Sequence, residues 1–533
     1  MVPSTGEMRF DVSVYLVRPS QASIVEADLF PVTPVKYQEL RNDIPGGRFL
    51  ALPVDANPPK WTAHVKALLP LGGQSLDLLS QSPGGILWIP RAGKCFVFTF
   101  GYAHAKLKDE WLEPEFGKRV ALNVIPQGQV VEVRAEQVFA KWHIASERAP
   151  RASAVREFGF EADRDLVAAV EGVPSQKYIP HLGTKVRGGT AFKFGMYFSK
   201  LLETLDVISE RFDSVDYMSA WPQVDNLVVV RDAVLEKDLD AKLDSILKGA
   251  KPADKISLAA PALKSGDKPY PQHYLIGRLS KNPATAPYLL FGNWEIHLKG
   301  LSKPLDLNSS LETKVHLLDE HKDEIDACTM YQCFGVEVSL QSRSFVLSSG
   351  VWYEAKHQFV VETNALISGL ALAPYPLPAW APPEDEGTYN AGVPGKDGSL
   401  WLFDKKLVGF GGGKSKFEFC DLMHLNSKTL YFVKHPSSSA SVSHLCEQVR
   451  RTVELFFSAD GAFRKNLADK ISAHDKLKDI SWLASRPLRH EWHLCLVSMG
   501  PHATDFPFFA KCGVARLVRE LEQGGYNVSF LAV

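Results

Sequence analysis

Residues 8–17, MRFDVSVYLV, alternate apolar and polar side chains, the two-residue period of a strand with one buried face. GILWIPRAGKCFVFTFGYA (85–103) predicts two strands joined by a tight turn near Arg91–Gly93. EPEFGKRVALNVI follows as a short helix or a helix-to-strand junction. EADRDLVAAVEGVP predicts a short helix, with Asp163 as its N-cap, Gly172 as its stop and Pro174 barring its continuation. In YFSKLLETLDVISERF (197–212), Leu201, Leu205, Ile208 and Phe212 fall on one helical stripe. DAVLEKDLDAKLDSILKGAK is a further helix, and GAKPADK marks a boundary near 249–255.

The next stretch predicts strands over LLFGNWEIHL and over FGVEVSLQSRSFVLSSGVWYEAK, the latter a hairpin turning at Ser342–Arg343. HQFVVETNALISGL predicts a helix behind them. APYPLPAWAPP (373–383) is too rich in proline for a helix or a central strand and reads as a linker. Beyond it, SLWLFDKKLVGF, KSKFEFCDLMHL and TLYFVKH each predict one strand. SVSHLCEQVRRTVELFF predicts a helix, with Leu445, Val449, Val453 and Phe456 on one face. HEWHLCLVSMG is a buried strand, DFPFFAKCGVARLVRELEQGG a helix capped by Asp505 and stopped at Gly524–Gly525, and YNVSFLAV a closing strand. The order β-β-β-α-β-α-β predicts a mixed sheet covered by helices.

These elements make an α+β multidomain chain. The expected organisation is an N-terminal α+β domain over 1–250, a middle α+β domain over 251–372, the proline-rich linker 373–383, and a C-terminal α/β domain over 384–533. A length of 533 residues supports several cores. Net charge is −1, so no global field draws nucleic acid, and any such binding needs a local basic face. Seven scattered cysteines read as reduced thiols rather than a disulfide framework. Cys328 and Cys333 lack a second pair at zinc spacing and read as buried thiols. The N-terminus has no secretory pattern, and no apolar run is long enough to span a membrane, so a cytoplasmic location without membrane contact is expected.

GFGGGKS (409–415) ends like a phosphate loop, but Val408 stands where the first glycine belongs and a strand follows instead of a helix. It reads as an inter-strand connection. RHEWH (489–493) spaces its histidines for neither a helical nor a strand metal site.

The stronger chemistry follows it. Metal-dependent phosphodiester hydrolysis needs carboxylates to hold a hard cation, Mg²⁺ or Mn²⁺. It also needs a lysine to orient water or steady phosphate charge. The PD-(D/E)xK nuclease core places these on adjacent strands, the second carrying acid and lysine two apart on one face. Here Asp421 ends one strand and Lys434 lies on the next, with twelve residues between. Phe432 stands where the acid two before the lysine is expected. Glu418 or Glu386 would have to replace it. Glu418, three before Asp421, needs a bulge to reach the same side. Asp421, Glu386 and Glu418 are the candidate metal ligands; Lys434 and Gln448 complete the catalytic set. His444, Gln448 and Arg451 form a polar helical strip. With Lys414 and Lys416 in the preceding turn, His444 and Arg451 are candidates for nucleic-acid contact. In ERAPRASAVREFGFEADRD (147–165), Arg148, Arg151 and Arg156 are candidates to contact phosphate, and Lys185, Arg187 and Gly188–Gly189 form a second anion-type turn.

Six segments together carry a resemblance: FVFTFGYAHAKL, EPEFGKRVALNVI, RASAVREFGFEADRDLVAAVEG, VEVSLQSRSFVLSSGVWYEA, EGTYNAG with LFDKKLV, and EFCDL with VKH and SHLCEQ. In this order, over about residues 85–460, the chain resembles a sporadically distributed bacterial family of uncharacterised proteins often carried in mobile or defence-gene neighbourhoods. The resemblance implies an accessory cytoplasmic protein of anti-phage defence. It places Glu386, Tyr389, Asn390, Asp404, Lys405, Glu418, Asp421, Lys434, His444 and Gln448 in the family's pattern, with a non-acidic residue at the position of Phe432. The expectation is a metal-dependent nuclease acting on DNA or RNA, its C-terminal sheet resembling the restriction-endonuclease-like core. The alternative is an inactive nucleic-acid-binding or phage-sensing subunit of a defence system. Nucleic acid, a phage component or a defence-system protein is the expected partner; the oligomeric state stays open.

Overall fold

The computed structural model describes residues 8–31, 37–52, 83–137, 143–153, 165–221, 224–261, 271–279, 285–410, 416–436, 439–474 and 479–533. The chain is α+β, with several mostly antiparallel sheets. Its contacts divide it into two compact units, one of Met1–Glu136 with Ile144–Asp225, the other of Asn226–Val533 with Gln137–His143.

The first unit is built on a ten-stranded sheet. Its expected elements Phe10–Val17, Gly84–Arg91 with Lys94–Phe100, and the helix Leu201–Asp213 are present. The hairpin turns on Ala92 and Gly93, both at positive φ, the conformation of a tight two-residue connection. Phe116–Val124 is a helix. The helix expected over EADRDLVAAVEGVP is instead a strand, Asp165–Gly172. Val170 pairs with Gly188 and Gly172 with Val186, so distant partners override the local spacing. Asp163 lies outside the described residues.

The second unit takes in the helix Ala233–Leu247, which the sequence places in the first domain; Leu239, Leu243 and Leu247 are buried in the middle core. Asp232 caps it, accepting from the Val234 and Leu235 amides. The hairpin Phe334–Leu340 with Arg343–Ser348 turns at Gln341–Ser342, as expected within a residue. LLFGNWEIHL, expected as a strand, forms the helix Phe291–Gly300. Its Phe291, Trp294 and Leu298 are buried at helical spacing, and this stripe decides the element.

The helix His357–Ser368 lies inside the expected middle segment 251–372, yet its Ile367 is buried in the C-terminal core. That core surrounds a mixed sheet. In chain order its elements are α1 (Glu386–Lys396), β1 (Leu400–Leu402), β2 (Leu407–Gly409), β3 (Lys416–Glu418), β4 (Leu422–His424), β5 (Thr429–Lys434), α2 (Ser439–Phe456), α3 (Ala462–His474), β6 (His493–Ser498), α4 (Phe508–Gln523) and β7 (Asn527–Ala532). The five-stranded sheet runs β1-β4-β5-β6-β7. β1, β4 and β5 are antiparallel, and β5, β6 and β7 are parallel through helical crossovers. Two expected strands are each split: SLWLFDKKLVGF gives β1 and β2, and KSKFEFCDLMHL gives β3 and β4. β2 and β3 form a separate two-stranded ribbon. Helix α4 starts at Phe508, and Asp505 lies in the turn before it rather than at the cap.

The two faces of β5 explain the missing acid. Tyr431 and Val433 face Tyr389 and Val393 of α1. Leu430 and Phe432 face Val442, Leu445 and Val449 of α2, and Phe432 is fully buried. Lys434 continues the Phe432 row at the strand end, where the helical cover opens. The proline-rich stretch 373–383 is anchored to the α1 side. Tyr375 stacks on His424 with ring centroids 3.6 Å apart, and its carbonyl accepts from the Tyr431 hydroxyl at 2.8 Å. The Tyr389 hydroxyl donates to the Pro378 carbonyl at 2.7 Å.

Phe432→Glu, which writes the expected acid back into β5, will not create a better site. It removes a core aromatic and buries a charge, and is expected to destabilise this unit by more than about 3 kcal/mol, read from denaturant unfolding by tryptophan fluorescence.

Candidate metal centre

Asp421 lies in the gap between the ribbon and the hairpin. The chain leaves β3 at Glu418, buries Phe419 and Cys420 in the core, and enters β4 at Leu422. The hydroxyl of Thr452, on α2, donates to the Phe419 carbonyl and holds this break against the helix. The expected bulge is therefore a full interruption of the strand, and it turns Glu418 and Asp421 toward one another.

Asp421 is 2% exposed. Its amide donates to the Tyr431 carbonyl at 3.0 Å, and its carbonyl accepts from the amides of Phe403 and Asp404 at 2.8 and 3.0 Å. Its carboxylate accepts from the Val433 amide at 2.7 Å. The tie to Asp404 carries a third acid into the site. Asp404 opens a turn closed by the Lys406 amide on the Phe403 carbonyl at 2.9 Å. Lys405 sits in this turn at φ 60°, a left-handed conformation that costs a non-glycine residue about 1–3 kcal/mol. From there its amide donates to the Glu418 carboxylate.

One carboxylate oxygen from each of Asp404, Glu418 and Asp421 lies within 4.8 Å of the other two. Among the described residues no other group of three acids, histidines or cysteines converges in this way. Glu386, at the start of α1, stands beside the triad and pairs with Lys434, Nζ to Oε1 2.9 Å. Four carboxylates thus face two lysines, Lys405 and Lys434. All three triad acids titrate above the ordinary carboxylate range. Burial is the main cause in each, reinforced by neighbouring carboxylates, and Asp421 is displaced furthest upward. The Lys405 amide partly offsets this at Glu418, and the Val433 amide does so at Asp421. An oxygen-only, negatively charged and partly dehydrated set matches a hard divalent cation such as Mg²⁺ or Mn²⁺.

Asn390 on α1, one helical turn after Glu386, is completely buried. Its amide favours the charged form of Asp404, yet neither its oxygen nor its nitrogen reaches a partner at full hydrogen-bonding geometry.

Glu418 and Lys434 open onto a cleft of about 770 Å³, walled on the other side by α2 through His444, Gln448 and Arg451. Lys416 lines it from the ribbon. The Gln448 amide nitrogen is buried there without a partner. Arg451 lies over the Phe410 ring, 5.4 Å from its centroid, and 3.3 Å from Glu454. The structure therefore brings Asp421, Glu418, Glu386, Lys434, Gln448, His444, Arg451 and Lys416 to one region. Asp404 was visible only as part of a family pattern, with no role attached.

Lys414, Arg156 and the side chain of Arg151 lie outside the described residues. In the first unit, Arg148 reaches within 4.0 Å of the buried Glu171 carboxylate, which Lys185 contacts at 2.8 Å and Arg187 at 3.9 Å. The two basic stretches that the sequence presents separately thus meet around one carboxylate. Cys328 and Cys333 are buried thiols 3.4 Å apart.

The chain belongs to DUF6119, a family of unknown function, whose family model matches residues 12–533. This span exceeds the segment over which the resemblance was legible. No curated protein matches the chain. No helix among the described residues is long and apolar enough to cross a membrane.

The double role of Asp421 separates two substitutions. Asp421→Ala strands the Val433 amide in the core and is expected to cost about 1–3 kcal/mol. Asp421→Asn keeps an acceptor there and removes a charge that the fold disfavours, so its stability without metal should equal or exceed that of the natural protein. Thermal melts in a chelator check both.

Proposed function

We propose that residues 384–533 form a divalent-cation-dependent phosphodiesterase acting on nucleic acid, related in design to PD-(D/E)xK nucleases, within a protein of anti-phage defence. The observation that carries this reading is the convergence of Asp404, Glu418 and Asp421 within 4.8 Å, with Lys434 beside them at the mouth of a cleft. The order of β1, β4 and β5, then α2, then β6 supports the relation. The defence context rests on the sequence resemblance.

In this reading Asp404, Glu418 and Asp421 hold Mg²⁺ or Mn²⁺, and Glu386 keeps Lys434 extended toward the cleft. A bound cation of this kind supplies an acidified water and positive charge against a phosphate oxygen. Lys434 orients that water or steadies the developing phosphate charge through a charge-assisted hydrogen bond. Gln448 offers its unpaired amide nitrogen as a donor to phosphate. Lys416, His444 and Arg451 line the path of the neighbouring backbone.

A second reading, a nucleic-acid-binding or phage-sensing subunit that does not cut, is favoured by one contact. Lys434 is already engaged by Glu386, and that pair alone would leave a grip without a free water-positioning group.

Incubation with plasmid, single-stranded DNA and RNA in Mg²⁺ or Mn²⁺ separates the two. Metal-dependent cleavage reduced at least about 100-fold in Asp421→Asn, Glu418→Gln and Lys434→Ala is the expected result. Binding without cleavage under every metal would establish the second reading, and neither binding nor cleavage would overturn both.

The pH dependence has a definite sign. The triad acids bind protons more tightly in the fold than in the unfolded chain, so their contribution to metal-free stability is present at low pH and is lost as pH rises through the raised values. A cation competes with those protons. The Mn²⁺-induced gain in melting temperature should therefore be larger at about pH 8 than at about pH 5.5; an equal gain at both would contradict it.

A further inference from the structure

A buried amide whose polar atoms fall short of full hydrogen bonds is costly to the fold. Native folds rarely retain one without a use for it. Asn390 is such a residue: fully buried, with its amide beside the Asp404 carboxylate and neither Oδ1 nor Nδ2 in full hydrogen-bonding geometry among the described residues. Its neighbours Tyr389 and Val393 on α1 fill the core against Leu422, Tyr431 and Val433, and an apolar side chain at 390 would fill space as well. Asn390 instead lies against Asp404, one turn along the same helix face from Glu386.

We propose that Asn390 is the fourth ligand-side group of the acid site, its amide oxygen completing the shell of a divalent cation, directly or through one bound water, that Asp404, Glu418 and Asp421 hold. This inference rests on reading the triad as a cation site. It adds a neutral oxygen to three charged ones, which gives the cation another donor without raising the repulsion among the carboxylates. It also assigns α1 a role: the helix delivers Glu386 to Lys434 from its first turn and Asn390 to the cation from its second. The amide oxygen, short of a partner in the metal-free protein, then gains one when the site fills.

The test is Mn²⁺ binding to the full-length protein, by electron paramagnetic resonance of free Mn²⁺, alongside melts in a chelator. Asn390→Ala should bind Mn²⁺ at least about 10-fold more weakly, while its metal-free melting temperature changes little, since no hydrogen bond of full geometry is lost. Asn390→Asp restores an oxygen and should recover Mn²⁺ binding, with a lower metal-free melting temperature from the added buried carboxylate. A purely structural asparagine predicts the opposite for alanine: a lower melting temperature with Mn²⁺ binding unchanged. If the natural protein binds Mn²⁺ and Asn390→Ala binds it equally well, this inference falls and the triad reading stands. If the natural protein binds no Mn²⁺, both fall.

Discussion

The C-terminal domain depends on one buried carboxylate. Asp421 joins the ribbon, the β1–β2 turn and β5 through four hydrogen bonds, to Tyr431, Phe403, Asp404 and Val433. Three of these use its backbone, and the fourth lets the side chain stand in for a missing rung of the sheet. An unpaired Val433 amide would otherwise be stranded under the fold. The same carboxylate is the most desolvated member of the acid triad. Architecture and candidate chemistry therefore share a group: what fixes Asp421 in place also fixes the oxygens around which Asp404 and Glu418 gather.

The electrostatics follow a similar economy. The chain is close to neutral overall, and many of its basic groups are spent on nearby acids: Arg450 on Glu447 and Glu520, and Lys185, Arg187 and Arg148 on Glu171. With a net charge of −1, the whole-chain field does little to steer a distant polyanion. Recognition at the cleft would then rely on short-range contacts from Lys416, His444 and Arg451, and on the local field of four carboxylates against two lysines. Such a field favours a small cation over a bare phosphate, so under the proposed function the ion would bind before the phosphate.

Much of this domain was legible where the information is local. The alternation in TLYFVKH and the twelve residues from Asp421 to Lys434 announce a hairpin with acid and lysine at one end. The apolar stripe of α2 likewise announces which side it covers. The rest depends on distant partners. DKK in the middle of an apparent strand looks like an ordinary polar turn, and only the carbonyl of Asp421 makes Asp404 a site residue. LVAAVEG carries apolar spacing that suits a helix until Gly188 and Val186 pair with it. LLFGNWEIHL holds a readable helical stripe in Phe291, Trp294 and Leu298, obscured by an aromatic and aliphatic content that favours strands.

The interruption at Phe419–Cys420 has an evolutionary corollary. Under the proposed nuclease reading, the second acid stands on a separate ribbon rather than on the lysine's own strand, which leaves position 432 free to be pure core. Selection can then exchange aromatic and aliphatic residues there without touching the site. A search for kin by an acid two places before a lysine would pass over this chain. Under that reading, the pattern to seek is Asp404, Glu418, Asp421 and Lys434 at their own intervals, with a hydrophobic residue two places before the lysine.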